Sequence, residues 1–434
     1  MPLRELQTGN PRPLLEYTWT TVQMFHATGD SEWLYNIPNR PVFNLIGGVL
    51  LWTGVALCVY RWRQPHYFFL LLWLGMGLLP AFVSTPPASL SHTILAQPVT
   101  YVLPALALTE VKAQSLKPKA QTGRRMLVAS YWLLVVLFLT TNTVRDLCDY
   151  FVTWPQRGMV RFLYRTDYRD AAGYLNVHPE ITDIAISSDL MGPWNRLALE
   201  VDTQRDNVAV RLFNPERALV WVEPSAPSEG DAPSAVLLTS SPRPAPPIDD
   251  LLEAHADPPE AVQPHLKLYT LSPMPQSPAS DPLARFANGL ELVQARRMKD
   301  TPPSPGQEVT VLTTWLVAAP LDLPPMPIVA NPPPPGVYSG PRLAVFVHLL
   351  TNDGIFLTGD DGLWVDPITL RPGDRFIQIH HLVLPPEREP DAPAGPYTFA
   401  LGLYDPLTGD RWPTLQADGQ PGPDSILIPV EEQP

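Results

Sequence analysis

Four long apolar runs lie close together in the first third of the chain. They cover residues 42–60, 66–84, 92–109 and 126–143. A helix needs roughly 20 mostly apolar residues to cross about 30 Å of hydrocarbon. The pattern therefore predicts a transmembrane region of about four spanning helices over residues 42–144. The third run contains Pro98 and Pro104, and we expect it to form a kinked span whose neighbours satisfy the freed carbonyl groups.

The short loops between these runs differ in charge. Loop 61–65 carries two arginines and loop 110–125 carries five basic residues, whereas loop 85–91 carries no charge. Basic residues collect in the cytoplasmic loops of membrane proteins, so both basic loops are predicted to be cytoplasmic. With four spans, the N-terminal segment 1–41 and everything after the last run then lie outside. This pattern predicts a multi-pass plasma-membrane protein with its soluble domains on the extracytoplasmic side.

Two different patterns follow the predicted membrane region. Residues 145–272 alternate helical stretches with short apolar runs, including the run 218–222, which is typical of a small α/β domain. Residues 286–434 alternate apolar and polar positions in strand-length segments separated by turn residues, which favours an all-β sandwich. The predicted fold class is therefore a multi-domain chain, with an α-helical membrane region, an α/β domain and a C-terminal β-sandwich.

The composition of the chain argues against several classes of partner and binding site. The formal net charge of −13 over 434 residues argues against nucleic acid as a partner. Two cysteines, Cys58 and Cys148, exclude a disulfide framework and a cysteine-based metal site. The glycine patterns that bind nucleotide phosphates are missing, as are the common hydrolase motifs. The chain has 55 prolines, and the segments 223–234 and 319–336 are predicted to be loops.

Three residues near the apolar runs are candidate contacts for a lipid phosphate or a substrate. Asp30, with Glu32 two residues later, would form a carboxylate pair, but an ordinary turn at Gly29-Asp30 is favoured. Arg40 precedes the first run and would either bind a phosphate bidentately or anchor the helix at the interface. His92 opens the third run and would contact a headgroup, but a solvated position at the helix start is favoured.

Aromatic residues of the β-region are candidates for stacking on sugar rings, and the alternative is that they belong to the sandwich core. They are Trp364, Tyr404 and Trp412, with Tyr397 beside them. Asp360-Asp361 would suit calcium, but acidic hairpin turns are commoner and the EF-hand spacing is absent. His380-His381 point to opposite faces if they lie on a strand. No metal site is therefore predicted.

The segment 24–65 resembles the region before a late transmembrane helix in bacterial glycosyltransferase family 39 proteins. These are relatives of the dolichyl-phosphate-mannose protein mannosyltransferases, in the GT-C class. The resemblance rests on Met24-Phe25, Gly29-Asp30, Asn36 with Pro38, and Arg40-Pro41, followed by a glycine-containing span. Residues 70–108 fit the family's loop, polar helix start and Pro-containing span. The β-region is similar to sandwich domains appended to some of these proteins.

The resemblance implies transfer of a sugar from a polyprenyl-phosphate-linked donor on the outer face, with no cofactor held by this chain. The family's catalytic carboxylate lies in the first outer loop, and this sequence begins downstream of that loop, so no catalytic residue is carried over. His92 stands near where relatives tend to carry basic residues.

The expected function is the C-terminal portion of a polyprenyl-phosphate-sugar-dependent glycosyltransferase, inactive as an isolated chain. The expected partners are membrane lipid, a lipid-linked sugar, a glycan acceptor and a separate catalytic membrane chain. The alternative is a non-catalytic membrane-anchored protein that binds a glycan or another protein on the extracytoplasmic side.

Overall fold

The chain folds into two compact units, a helical unit of residues Met1–Tyr164 and a β-rich unit of residues Arg165–Pro434. The computed structural model describes residues 2–115, 121–190, 192–222, 234–272, 274, 281–298, 306–326, 334–351, 353–384 and 397–430, without the side chains of 113–115 and 121–124. Most of the predicted loop 223–234 and parts of the predicted loops 110–125 and 319–336 lie outside the described residues.

Seven α-helices are described in the helical unit. They are α1 Pro2–Gln7, α2 Arg12–Gln23, α3 Leu45–Tyr60, α4 Pro65–Val83, α5 Gln97–Ser115, α6 Gln121–Cys148 and α7 Gly158–Leu163. A 3-10 turn precedes α5 and a π-helical turn, Asp149–Thr153, extends α6. Asn44 is the N-cap of α3. Its Oδ1 accepts a hydrogen bond from the N–H of Gly47 at 2.9 Å, which satisfies a backbone donor that has no partner within the helix.

Among the described residues of this unit, three helices are long and apolar enough to cross a membrane: Pro65–Val83, Ile94–Lys112 and Arg125–Thr153. They coincide with the second, third and fourth predicted spans. The first predicted span corresponds to α3, an apolar helix of 16 residues. At 1.5 Å per residue such a helix extends about 24 Å, which is less than the usual hydrocarbon thickness. A fourth span therefore stays a prediction.

Glycines let the helix backbones approach each other closely. A Cβ added at Gly54 of α3 would lie 2.2 Å from the backbone oxygen of Leu103 in α5. A Cβ at Gly77 of α4 would lie 2.7 Å from the backbone nitrogen of Ala96. Small residues at such crossings are typical of helix packing in membranes. These glycines therefore determine how closely the helices pack, although a hydropathy pattern gives them no special weight.

The β-rich unit contains three described helices, α8 Thr166–Val177, α9 Pro193–Asp202 and α10 Pro246–His255. Its first six strands are β1 Asp183–Ser187, β2 Ala209–Phe213, β3 Ala218–Trp221, β4 Ser234–Thr239, β5 Glu260–Gln263 and β6 Leu266–Leu271. Five of them form a sheet in the order β2-β1-β4-β6-β5, in which β2, β1 and β4 are parallel and the others antiparallel. A mixed sheet with helices between its strands agrees with the α/β pattern read from the sequence.

The remaining strands form two antiparallel sheets. They are β7 Ala284–Arg285, β8 Leu290–Arg297, β9 Glu308–Val317, β10 Ala344–Thr351, β11 Phe356–Gly362, β12 Arg375–Val383, β13 Tyr397–Tyr404, β14 Arg411–Trp412 and β15 Ile426–Pro429. One sheet has the order β11-β10-β13-β14 with β15 on β13, and the other has the order β3-β12-β9-β8-β7. Val347 and Leu401 of the first sheet and Trp315 of the second belong to one buried cluster. The arrangement is sandwich-like, as expected.

Strand β3 lies in a different sheet from the one that the sequence pattern indicated. The run 218–222 was assigned to the α/β unit, but β3 pairs with β12, with Val220 opposite Phe376. All four residues of β3 are buried. A strand buried on both faces has no alternation that would reveal its partner. The α/β sheet and the sandwich share one hydrophobic cluster, which includes Val236 and Ile248 beside Trp315.

A buried ion-pair network also joins these two parts of the β-rich unit. Arg211 of β2 is 1% exposed, and its guanidinium donates to Asp374, just before β12, at 2.8 Å and to Asp183 of β1 at 2.7 Å. Removing one member of such a network leaves an uncompensated buried charge, which typically costs about 3–5 kcal/mol. This buried network therefore fixes the contact between the α/β sheet and the sandwich.

Candidate functional site

Asp30 is buried and acts on the backbone of its own loops. Its Oδ1 accepts from the N–H of Glu32 at 2.9 Å, and its Oδ2 accepts from the N–H of Leu90 at 2.7 Å. The carboxylate of Glu32 accepts from the N–H groups of Trp33 and Leu34. Both carboxylates therefore hold turns, and Asp30 ties the N-terminal segment to the loop between α4 and α5.

Arg40 belongs to a cluster of four charged residues beside the start of α3. Its Nη1 donates to Asp149 at 2.6 Å and to Asp146 at 3.1 Å, at the end of α6. Arg145 donates to the carbonyl of Val42 at 2.7 Å and also to Asp146. Two arginines and two carboxylates thus compensate each other, and the ion pairs join the start of α3 to the end of α6.

His92 is partly buried in the loop between α4 and α5. Its Nδ1 lies 2.9 Å from Oγ of Ser84, which itself donates to the carbonyl of Pro80 at the end of α4. Asp30 contacts Leu90 in the same loop, and the carbonyl of Asn39, next to Arg40, accepts from the N–H of Gly29. The loops that carry Asp30, Arg40 and His92 therefore contact one another within the helical unit.

The three candidate stacking residues of the sandwich do not share one face. Trp412 lies opposite Leu403 in the β13–β14 pair and packs against the sandwich core. Trp364 also packs on that core, and the Arg217 guanidinium covers its ring at 5.1 Å. Tyr404 lies opposite Arg411, on the other face of the sheet. Two of the three aromatics are therefore core residues, and Tyr404 lies on the surface that faces away from the core.

That surface carries a group of aromatic and charged side chains, which we call the outer aromatic face: Phe346, His348, Phe356, Asp361, Tyr404 and Arg411. In β10 the residues Val345, Val347 and Leu349 belong to the core cluster. Because successive side chains of a strand point to opposite faces, the intervening Phe346 and His348 point outward. The cross-strand partners Asp361 and Gly359 in β11 share their face.

The rings of this face contact each other in a row across the sheet. The His348 ring lies 5.0 Å from the ring of Phe356 and 4.8 Å from that of Phe346. The Phe346 ring lies 6.2 Å from that of Tyr404. Such centroid distances are typical of favourable aromatic pairs. Phe356 is 56% exposed, whereas Phe346 is buried beneath its neighbours.

Two glycines allow the rings to lie against the sheet. A Cβ added at Gly402 of β13 would come within 2.4 Å of the Phe346 ring, and one at Gly359 of β11 would come within 2.5 Å of the His348 ring. Both glycines therefore provide the space in which the rings lie over the neighbouring strands. The rings are tilted against one another, by 38° for Phe346 and His348, by 56° for Phe346 and Tyr404 and by 80° for His348 and Phe356.

Charged groups border the rings. Nε2 of His348 lies 2.9 Å from a carboxylate oxygen of Asp361, and the Arg411 guanidinium lies 4.6 Å above the centre of the Phe346 ring. Burial, followed by the nearby Asp361 charge, raises the pKa of Tyr404 to about 12. The phenol of Tyr404 donates a side-chain hydrogen bond to Asp361. The face combines apolar rings with a carboxylate, a guanidinium and a phenol.

The sequence of β10 contains a signal for this face. In the segment 344–351 the apolar core positions alternate with Phe346 and His348, which stand where a half-exposed strand usually has small polar residues. Asp361, which the sequence offered as a calcium ligand, contacts His348, and Asp360 accepts from Arg217 at 2.7 Å. Within the part of the chain that the structure describes, no group of three or more His, Cys, Asp or Glu residues could hold a metal ion.

Comparison with known proteins gives no family for this chain. No family model matches the sequence, and no curated protein matches it. Among solved structures, 11 chains match. One of them is described as the crystal structure of the C-terminal domain of wzt. It has 15% sequence identity and a TM-score of 0.21, and the match covers 36% of this chain and 81% of that chain. A similarity at that TM-score does not establish a shared fold.

Proposed function

We propose that this chain is a non-catalytic membrane-anchored protein that binds carbohydrate on the outer aromatic face. The observation that supports the proposal is the row of contacting rings, of which those of Phe346 and His348 pack against Gly402 and Gly359, bordered by Asp361 and Arg411. A sugar ring has an apolar C–H face and a rim of hydroxyl groups. Binding sites for such molecules combine apolar and aromatic surface with a few polar groups that fix the orientation.

Each member of the face has a part in this proposal. Phe356 and Tyr404 offer the accessible aromatic surface for the apolar face of a sugar. Asp361 accepts from sugar hydroxyls, and Arg411 donates to them through charge-assisted hydrogen bonds. The Phe346 ring, which is covered by Arg411, supports the platform from beneath. The Tyr404 hydroxyl donates to the Asp361 carboxylate, which orients this acceptor beside the rings.

The apolar helices would hold the β-rich unit at the membrane surface. Arg61, after α3, donates to Glu110 near the end of α5 at 3.0 Å, which supports the expectation that loops 61–65 and 110–125 lie on one side. Because both loops are basic in sequence, we place that side in the cytoplasm. Residues after α6 would then lie on the extracytoplasmic side, where cell-surface glycans occur.

The test is binding of the full chain, in lipid nanodiscs, to immobilised mannan and dextran. We expect measurable binding to at least one polysaccharide and a loss of about tenfold or more in Phe356→Ala, in line with about 1.4 kcal/mol for each factor of ten. Leu407→Ala is the matched control, because Leu407 is similarly exposed on the β13–β14 turn. Equal binding by wild type and Phe356→Ala would refute the assignment of the face.

The glycosyltransferase hypothesis is the second candidate. It is favoured by the mutual contacts of the loops that carry Asp30, Arg40 and His92, beside the ends of apolar helices. The test is transfer of labelled sugar from a polyprenyl-phosphate-sugar to a glycan acceptor by the full chain in proteoliposomes. Transfer by the wild type that is lost in Arg40→Gln would support it, and no transfer would exclude an enzyme activity of this chain alone.

A further inference from the structure

The mixed sheet of the β-rich unit has an open edge at β2. In the order β2-β1-β4-β6-β5, β2 has a strand neighbour on one side only. The N–H of Ala209 donates to the β1 segment and the C=O of Phe213 accepts from it, so both residues direct their backbone groups towards β1. Because these directions alternate along a strand, the N–H and C=O groups of Val208 and Val210 point to the free edge.

A short segment of the same chain, residues 364–366, covers the far end of this edge. The N–H of Asp366 donates to the carbonyl of Leu212 at 2.8 Å. Pro367 follows, and it has no N–H with which to continue the pairing. The N–H of Leu212 donates instead to Oγ1 of Thr369 at 3.1 Å. The strand pairing therefore ends at Leu212, and the edge before it is left open.

The open part of the edge is the backbone of Val208 and Val210. Their N–H and C=O groups take part in no hydrogen bond within the described part of the chain, and both residues are partly exposed. Backbone donors and acceptors need hydrogen-bond partners, and an unpaired strand edge is a template for a further strand. The edge therefore offers a site for an extended polypeptide.

A cavity of about 720 Å³ lies along this open edge. Val208 and Val210 line it, together with Leu197 of α9 on one side and Ile368 at the end where the pairing stops. The volume lies within the range of roughly 300–1,000 Å³ that is common for ligand sites. The open edge therefore lies in a recess between α9 and the segment 368–371, which suits one extended segment.

The charges of this cavity balance one another. Arg196 forms an ion pair with Asp366. The other charged residues of the lining are two of each sign: Arg205, Arg371, Glu200 and Asp206. The lining therefore offers no excess charge to a ligand, and recognition rests on backbone hydrogen bonds and apolar contacts.

We propose that this cavity binds an extended peptide segment of a partner protein, which adds to the sheet as a strand along the free edge of β2. The peptide donates to and accepts from the backbone of Val208 and Val210. It continues the pairing that residues 364–366 begin at Leu212. The site is independent of the outer aromatic face.

The geometry also defines the chemistry of the peptide. Successive side chains of a strand point to opposite faces, so every second side chain of the peptide contacts the apolar wall formed by Leu197 and Val210. In this mode of binding, main-chain hydrogen bonds supply affinity and pockets for alternate side chains supply specificity. The peptide therefore has apolar residues at alternate positions and no proline where its N–H groups face β2.

The test is fluorescence anisotropy of the full chain in detergent with labelled, end-blocked pentapeptides in which Thr alternates with Val, Leu or Phe. We expect at least one of them to bind. N-methylation of alternate residues removes the N–H donors from one edge of a peptide, so one N-methylated form should bind at least tenfold more weakly and the other should bind like the parent. Equal affinities of the two N-methylated forms, or no binding by any pentapeptide, would overturn the proposal.

Val210→Pro tests the edge of the protein itself. It removes an N–H that faces the cavity and leaves the hydrogen bonds between β2 and β1 in place, and proline is tolerated at such edge positions. We expect the affinity for the peptide to fall at least tenfold. Val210→Thr is the matched control, because it keeps the N–H and nearly the same shape and should bind like the wild type. Equal binding by the two variants would contradict pairing at Val210.

A second pair of variants keeps the test decisive if Val210→Pro fails to fold. Leu197→Trp should fill the cavity from α9 and abolish binding. Val201→Trp should bind like the wild type, since Val201 lies one turn further along α9, is 82% exposed and is not among the residues that line the cavity. Equal binding by both variants would show that the peptide binds elsewhere. A dimeric chain that Val210→Pro dissociates would assign the edge to a second copy and overturn the proposal.

Discussion

His380 is a buried histidine whose neutral form the fold requires. It lies in β12 with no exposed surface, its Nδ1 is 3.2 Å from the carbonyl of Asp360, and its Nε2 is 3.1 Å from the side chain of Gln378. Burial lowers its pKa from 6.5 to about 4. In the unfolded chain the imidazole binds a proton below about pH 6.5, whereas in the folded chain it remains neutral until about pH 4.

Stability should therefore fall as the pH drops from about 6.5 towards 4. The slope that a single group contributes is at most about 1.4 kcal/mol per pH unit, and the contribution is fully present above the unfolded pKa. We expect His380→Gln to flatten this part of the stability profile of the full chain in detergent, measured by denaturant unfolding at several pH values. A variant profile as steep as that of the wild type would contradict the assignment.

Gly402 is a second residue whose role is set by its neighbours. We expect Gly402→Ala to lower the free energy of unfolding by about 1–3 kcal/mol, because its Cβ would overlap the Phe346 ring. The same change should weaken polysaccharide binding by moving that ring.

Gly173→Ala is the matched control, since Gly173 lies on α8 with no atom within 4 Å of an added Cβ. There the extra methyl should stabilise the helix by about 0.5–1 kcal/mol. If both substitutions change stability in the same direction, the close packing of Phe346 over Gly402 is not what determines the effect.

The sequence identified individual residues with suitable side chains, but it did not show which contacts those side chains make. An ordinary turn at Gly29-Asp30 was the favoured interpretation. In the structure Gly29 and Asp30 form backbone hydrogen bonds with Asn39, and the buried Asp30 carboxylate accepts from the N–H groups of Glu32 and Leu90. Arg40 was assigned to a lipid phosphate or an interface, but its partners are Asp146 and Asp149, which lie more than a hundred residues away. Contacts across such separations depend on the packing of α3 against α6, which periodicity does not encode.

Among the elements, the start of α3 offers a test of the helix contacts. Asn44 Oδ1 caps the helix, and its Nδ2 donates to Thr141 of α6 at 2.7 Å. Asn44→Ala should destabilise the chain by about 1–2 kcal/mol, because it loses a cap and a hydrogen bond. Asn44→Asp keeps the cap acceptor and loses the donor to Thr141.

Thermal unfolding of the full chain in detergent should therefore rank wild type first, Asn44→Asp second and Asn44→Ala last. If Asn44→Asp is as unstable as Asn44→Ala, the bond to Thr141 outweighs the cap. If all three unfold at the same temperature, neither contact contributes.

The elements themselves were largely readable from the pattern. Four apolar runs predicted four spans, and three of them correspond to described helices of sufficient length. Alternation in residues 286–434 predicted strands there, and the described strands β8, β9, β10, β12 and β13 lie in that range. The failures have physical causes. Strand β3 is buried on both faces, so its sequence does not show its partner, and α6 runs beyond the end of its apolar stretch because charged residues continue the helix to Cys148.

At the scale of the whole molecule, the contacts of the helical unit separate two sets of loops. Arg61 and Glu110 meet at one end of α3 and α5. The start of α3 meets the end of α6 through Arg40 and Asp149. Since residues 61–64 join α3 to α4 and residues 84–96 join α4 to α5, these contacts are those expected when consecutive helices run in alternate directions. The proposed membrane orientation assigns loops 61–65 and 110–125 to the cytoplasm. It assigns the start of α3 and the end of α6 to the extracytoplasmic side.

The two natural cysteines allow a test of this membrane orientation. Cys148 is exposed at the end of α6, and Cys58 is buried in α3. In intact cells after mild reduction, a membrane-impermeant maleimide should label Cys148 and leave Cys58 unlabelled. In a Cys148→Ser background, Arg63→Cys should be labelled after permeabilisation and not before, because loop 61–65 is assigned to the cytoplasm. The reverse pattern, with Arg63→Cys labelled in intact cells, would place the β-rich unit inside the cell and would remove the extracellular glycans as ligands.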